Sequence, residues 1–249
     1  MNGPLTGRRA LVTGGASGMG RAIALKLAEQ GCDVAVGSLP AGGSLPEATY
    51  AARPDANEFT RLQQSIAAMG VRSIARPLDV RLDHSVDALI AEAVGTFGGI
   101  DILVNAAGVS AQQSILEHTD ETWNAVIDIN LTGAYRTIKR CFGGMRERRW
   151  GRIVNIASTA ANIGFPLYGA YCASKSALLG LTRCVALEGA AHGISCNAIN
   201  PGSVGTEMMR LGSLRRIGHG GEGATVEENF AKVAEAMPQR RLIPAEEVA

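Results

Sequence analysis

Short apolar runs alternate along the chain with stretches whose apolar residues recur at three- and four-residue spacing. Arg9-Ala-Leu-Val-Thr13, Asp33-Val-Ala-Val-Gly37, and residues 73–78, 101–105, 152–157 and 194–199 read as buried strands. Between them, Ile23, Ala24, Leu27 and Ala28 form one face of a predicted helix over 21–30, which stops at Gly31. Helices are also predicted over 55–69, ahead of Gly70, over 83–97 and over 122–148. The last carries Trp123, Val126, Ile127 and Leu131, with Asn130 among them. A buried helical asparagine is costly unless bonded, so it either kinks the helix around a water or packs quietly. Strand and helix alternate throughout, which predicts an α/β fold: a parallel sheet covered on both faces, with ligand at the strand C-termini.

Two stretches break the alternation. Residues 39–57 are rich in Pro, Gly and Ala and read as a long loop, with Arg53 near its end. Residues 203–237 follow the Pro201-Gly202 turn and hold many glycines together with Met208, Met209 and Leu211. Their position predicts a substrate lid that orders on binding, and their apolar content favours a medium-sized hydrophobic or cyclic ketone.

Composition narrows the picture. The 249 residues suit one domain over 1–249, and a hydrophobic content of 46% is ample for its core. A net charge of +1 gives no field for nucleic acid or an anionic membrane. Five cysteines form no C-x-x-C pair, no apolar run approaches a membrane span, and no signal-peptide core opens the chain. A reduced, cytoplasmic protein is expected, with no metal.

The chemistry gathers at the predicted strand ends. Gly14-Gly-Ala16-Ser17-Gly18-Met19-Gly20 lies between the first strand and first helix, where backbone N–H groups can approach phosphate oxygens. Ser38 ends the second strand, where an acid would grip a ribose 2′-hydroxyl, so its neutrality slightly favours NADP(H) over NAD(H). Asp79 and Val80 end the next strand; the carboxylate can accept an adenine amino group or serve a cap or turn. Asn105-Ala106-Ala-Gly108 lets backbone pass close to a flat ligand. Tyr171 and Lys175 lie four apart on one helical face, thirteen residues beyond Ser158. A nearby ammonium favours the phenolate, and a serine hydroxyl can hold a carbonyl oxygen within reach of the phenol.

With these motifs in this order, the chain resembles the short-chain dehydrogenase/reductase family in its short, single-domain form. The resemblance implies a Rossmann-type doubly wound sheet and an NAD(P)(H)-dependent oxidoreductase acting on a secondary alcohol or ketone. It implies that Tyr171 is the general acid/base, that Ser158 orients the substrate oxygen, and that Lys175 binds ribose hydroxyls while lowering the tyrosine pKa. It further implies that Asn130 holds a water linking Lys175 to solvent. Pro201, Gly202, Val204 and Thr206 would border the nicotinamide. A small-molecule partner and a homo-oligomer, dimer or tetramer, are expected. A 3-oxoacyl thioester reductase is the alternative enzyme, for which Arg136, Lys139 and Arg140 could receive a carrier protein or form a solvated helix face. A non-catalytic cofactor sensor is the alternative of another class. Two departures stand out: 39–57 is longer than usual, and the sequence stops just after a helix start at Pro244, Glu246 and Glu247. Family members go on to one more edge strand, so either the sequence is truncated or that edge is lacking.

Overall fold

The computed structural model describes residues 3–218 and 225–249. In chain order the elements are β1 (Arg9–Thr13), α1 (Gly18–Glu29), β2 (Asp33–Ser38), β3 (Thr49–Tyr50), α2 (Ala56–Ala67), β4 (Ser73–Pro77), α3 (Asp83–Phe97) and β5 (Ile102–Asn105). There follow β6 (Ser110–Ala111), α4 (Asp120–Ile127), α5 (Gly133–Glu147), β7 (Gly151–Ile156), α6 (Gly169–Ala190), β8 (Ile194–Ile199), α7 (Glu207–Gly218) and α8 (Val226–Ala236). Six strands form one parallel sheet in the order β4-β2-β1-β5-β7-β8. The order reverses between β1 and β5, and a crevice opens at such a switch point beyond the strand C-termini.

Both faces of the sheet are covered, which is why its strands read as nearly continuous apolar runs. One core packs Leu11, Leu103 and Ile153 beneath α3 and α5; the other packs Val12, Val34 and Val36 beneath α1 and α2. Helix α2 starts on a reciprocal capping box between Asp55 and Glu58, and α3 stops at Gly98, whose φ is 85°. At the far end of the sheet from the crevice, the buried Asp101 carboxylate accepts from Arg9 at 2.7 and 2.8 Å and from Arg148 at 3.1 Å.

The predicted helix over 122–148 is broken in its middle. A π-turn, Asp128–Thr132, separates α4 from α5. One extra residue per turn rotates the buried stripe, so Trp123 is exposed while Ala134, Ile138, Cys141 and Met145 face the core. The long loop also contains structure: β3 pairs antiparallel with β6 and turns residues 39–55 into a strap across the crevice. The proposed lid is largely helical, as α7 and α8. Its Gly220, Gly221 and Gly223 lie outside the described residues. Beyond α8, Ile243 makes one parallel bridge to Val204, and Pro244 opens a single 3-10 turn, Ala245–Glu247. Among the described residues no strand pairs with the outer side of β8.

Candidate active site

The crevice begins at the glycine turn. Gly14 has φ 66°, and a Cβ there would lie 2.6 Å from the Ala107 nitrogen, so only glycine lets β1 pass the end of β5 this closely. A Cβ on Gly20 would lie 2.3 Å from the Gly14 carbonyl oxygen. Ser17 caps α1 in extended conformation without a side-chain hydrogen bond, and no acid occupies the first turn. The first N–H groups of α1 are therefore left for an anion, as a dinucleotide pyrophosphate requires. Gly14, Ser17, Gly18, Met19 and Gly20 line the crevice with Ser38, Asp79, Val80, Ala106, Gly108 and Thr206. The residues present fit a nicotinamide dinucleotide.

Several expected contacts fall elsewhere. The Asn105 side chain turns away into a buried chain: Thr137 donates to it at 2.7 Å and it donates to Asn155 at 2.9 Å. Ala16 does not line the crevice but donates its N–H to the Ser38 hydroxyl at 2.9 Å. Pro201 accepts from the Thr159 nitrogen at 3.0 Å, and Val204 is buried. Asp79 takes the turn role, accepting from the Arg81 nitrogen at 3.0 Å and pairing with its guanidinium at 2.6 Å. Arg53 donates to Gly43 within the strap.

Beside Gly108 of the crevice three side chains converge. Ser158 leaves the end of β7, and its hydroxyl accepts from the Ala160 nitrogen at 3.1 Å. Tyr171 and Lys175 rise from α6, with the Lys175 nitrogen 5.7 Å from the centre of the tyrosine ring. Lys175 is 5% exposed and donates to the Ile156 carbonyl at 2.7 Å. Burial pushes its pKa down to about 8. Burial works against the expected lowering of the Tyr171 pKa. Burial holds the phenol above its ordinary value, while the neighbouring Ser158 works in the opposite direction. The Lys175 nitrogen is engaged with the Ile156 carbonyl.

Asn130, in the π-turn, is 1% exposed. Its oxygen accepts from the Val109 nitrogen at 2.8 Å, and its amide donates to the Val109 carbonyl and the Ser174 hydroxyl, each at 3.0 Å. Both donors of the side-chain amide thus have protein partners. A Cβ on Gly108 would lie 3.4 Å from the Asn130 oxygen and 3.6 Å from the Lys175 nitrogen, so the two polar tips meet at that glycine.

The wall beside Tyr171 is more polar than the apolar lid predicts. Tyr168 stacks edge-on at 6.3 Å, and Gln112 donates to its hydroxyl. Tyr50, delivered by β3, lies beside Tyr168 and Ser110. Met208 lines the nucleotide crevice, and Leu211 faces the strap. Sequence reading missed Tyr50, Ser110, Gln112 and Tyr168. Only the pairing of β3 with β6, invisible to local periodicity, brings Tyr50 here.

Residues 8–214 match the family model described as short chain dehydrogenase. The chain belongs to that family. It is 36% identical over 201 residues to a 3-oxoacyl-[acyl-carrier-protein] reductase of Staphylococcus epidermidis, covering 81% of this chain and 77% of the relative. Among solved structures it is similar to an actinorhodin polyketide ketoreductase with NADPH, at 34% identity and TM-score 0.86, covering 97% of this chain and 87% of that one. A carveol dehydrogenase from Mycobacterium avium in complex with NAD superposes at TM-score 0.90 and 25% identity, covering 99% and 89%. This short-chain dehydrogenase is accordingly an NAD(P)-dependent oxidoreductase that interconverts a secondary alcohol and a ketone. Among the described residues no helix is long and apolar enough to cross a membrane, and no group of three or more His, Cys, Asp or Glu side chains could hold a metal ion.

The buried lysine gives this dehydrogenase a measurable pH signature. Its folded pKa of about 8 lies below the unfolded value of ~10.4, so between these limits the unfolded chain binds more protons and stability rises with pH. Compared with Lys175→Met, wild type should gain in relative Tm from pH 8 to pH 10. A constant difference across that window would mean that Lys175 does not titrate there.

Proposed function

We propose that the chain reduces a small ketone, or oxidises the matching alcohol, with Tyr171 as the proton donor and acceptor. The convergence of Ser158, Tyr171 and Lys175, with the lysine nitrogen beside Gly108 of the crevice, carries this reading. The nicotinamide cofactor, when bound, supplies or receives the hydride. Gly14, Ser17–Gly20, Ser38, Asp79, Val80, Ala106, Gly108 and Thr206 would hold it, with Lys175 at its ribose. Asn105, Pro201, Gly202 and Val204 support those residues from behind. Ser158 presents the substrate oxygen to the phenol. Asn130 acts by fixing Val109 and Ser174 on either side of Lys175.

Turnover of NADPH or NADH with a panel of ketones tests the reading. Tight cofactor binding with no oxidation by any ketone would leave a sensor. The second enzyme reading, a 3-oxoacyl thioester reductase, draws on the printed activity of the Staphylococcus relative. Against a carrier-protein dock, Arg136 is paired with Asp83 and Asp128, and Arg140 with Asp83 and Asp87. Comparing a free ketone with a carrier-bound 3-oxoacyl group separates the two.

On cofactor choice, neutral Ser38 supports a slight preference for NADP(H), kept modest because no arginine or lysine lines that end of the crevice. Ser38→Asp should move the kcat/KM ratio toward NAD(H) by tenfold or more, since a carboxylate repels a 2′-phosphate. An unchanged ratio would remove position 38 from the selection. Exposed Trp123, Tyr135 and Leu187 support a homo-oligomer, which light scattering would size. Five free thiols fit a reducing compartment, the cytoplasm.

A further inference from the structure

Beyond Tyr168 the site continues into a second polar cluster that the reaction at Tyr171 does not use. Tyr50 lies opposite Ser110 across the β3–β6 pair, and its ring is 7% exposed. Its hydroxyl abuts α7, where a Cβ on Gly212 would lie 3.0 Å away. Gly212, Ser213 and Arg216 share one face of α7, at i, i+1 and i+4. That face points inward: Gly212 and Ser213 are buried, whereas Leu214 on the other side is 44% exposed.

Two polar atoms on this face of α7 are buried without a hydrogen-bond partner, the Ser213 hydroxyl and the Arg216 Nε, whereas the Ser110 hydroxyl lies within reach of the Tyr50 phenol. Buried polar groups are normally paired, and each unpaired one costs stability. Arg9, Arg72, Arg76 and Arg81 all meet carboxylates of this chain. Arg216 Nε meets none among the described residues. An unpaired hydroxyl beside an unpaired guanidinium nitrogen suits a ligand that brings its own negative oxygen atoms. The Tyr50 phenol, whose pKa burial pushes far up, stays a neutral donor there. One guanidinium with two or three hydroxyls matches the single charge and planar oxygens of a carboxylate better than a phosphate dianion.

We propose that Tyr50, Ser213 and Arg216 bind a carboxylate carried by the substrate, so that the enzyme acts on an oxo acid or hydroxy acid whose acid group is remote from the reacting carbon. The proposal rests on the reading of Tyr171 as the reacting end. With the carboxylate held against α7 and the strap, the chain of the substrate runs past Tyr168 and places its carbonyl between Ser158 and Tyr171. The spacing between the two ends then selects the substrate.

The test pairs 4-oxopentanoate, 5-oxohexanoate and 4-oxocyclohexanecarboxylate with their methyl esters, using the full chain with saturating cofactor. At least one acid should exceed its ester in kcat/KM by tenfold or more. Arg216→Met should lower the kcat/KM of that acid at least tenfold more than that of its ester, mainly through KM, and Arg216→Lys should restore part of the loss. Acids and esters used equally, or lost equally in Arg216→Met, would overturn the proposal while leaving the ketoreductase reading intact. Should no ketone turn over, that reading fails, and the carboxylate site is still decided by direct binding. Cyclohexanecarboxylate should then saturate the wild type by fluorescence titration and bind Arg216→Met at least tenfold more weakly. No saturable binding to wild type, or equal binding to both, would overturn the site.

Discussion

Tyr171→Phe is expected to lower kcat for ketone reduction by at least ~10²-fold, within the ~10²–10⁴-fold that a positioned proton donor contributes. The substitution removes one hydroxyl and keeps the ring that packs against Tyr168 at 6.3 Å and beneath the Lys175 ammonium at 5.7 Å. Cofactor affinity should therefore stay within a few-fold of wild type by equilibrium titration. Burial holds the phenol in its neutral form, so the variant loses a proton donor and not a charge. A loss of only a few-fold in kcat would move the proton to another group, of which Tyr168 is the nearest phenol.

Asn130→Leu should have the largest effect on stability among the site residues. The change keeps the volume roughly constant but strips partners from the buried Val109 N–H and carbonyl, while the Ser174 hydroxyl keeps its bond to the Tyr171 carbonyl. A buried group left unpaired costs about 1–3 kcal/mol. Two together should cost roughly 2 kcal/mol or more, partly relieved by local shifts. For a chain of this size that is a fall in Tm of roughly 4–8 °C. Asn130→Asp keeps the acceptor and loses the donors, so it should lie between the two. A Tm for Asn130→Leu within ~2 °C of wild type would show that the π-turn holds without its asparagine.

The parts of this protein that depend on short-range pattern were legible in the sequence. β1, the glycine turn and α1 are specified by neighbouring residues, and so is the shared face of Tyr171 and Lys175. The strand C-termini were therefore placed well enough to gather Ser158, Ser38, Asp79 and Gly108 at one crevice. What escaped depends on contacts between distant segments. The π-turn at Asn130 forms because Val109 and Ser174 bind its side chain, and nothing within 122–148 announces it. The Asn105 side chain belongs to Asn155 and Thr137, which periodicity cannot reveal. The raised pKa of Tyr171 is likewise a matter of burial, where spacing alone suggested a charge effect.

The β3–β6 pair also bears on how this enzyme could be recombined. β3 lies in the half of the chain that holds the nucleotide, whereas β6, Tyr168 and α7 lie in the half that meets the substrate. A doubly wound fold is built from two such halves, which meet here at the switch between β1 and β5. Here the first half sends a side chain across the join. A chimera that takes residues 1–99 from a relative without the strap would retain the glycine turn and the three converging side chains. It would lose Tyr50, leave the main-chain edge of Ser110–Ala111 bare, and open the face of α7 at Gly212 to solvent. Swapping halves should thus preserve the capacity for hydride chemistry and erase substrate preference. With the proposed carboxylate site, specificity would be inherited from both halves at once.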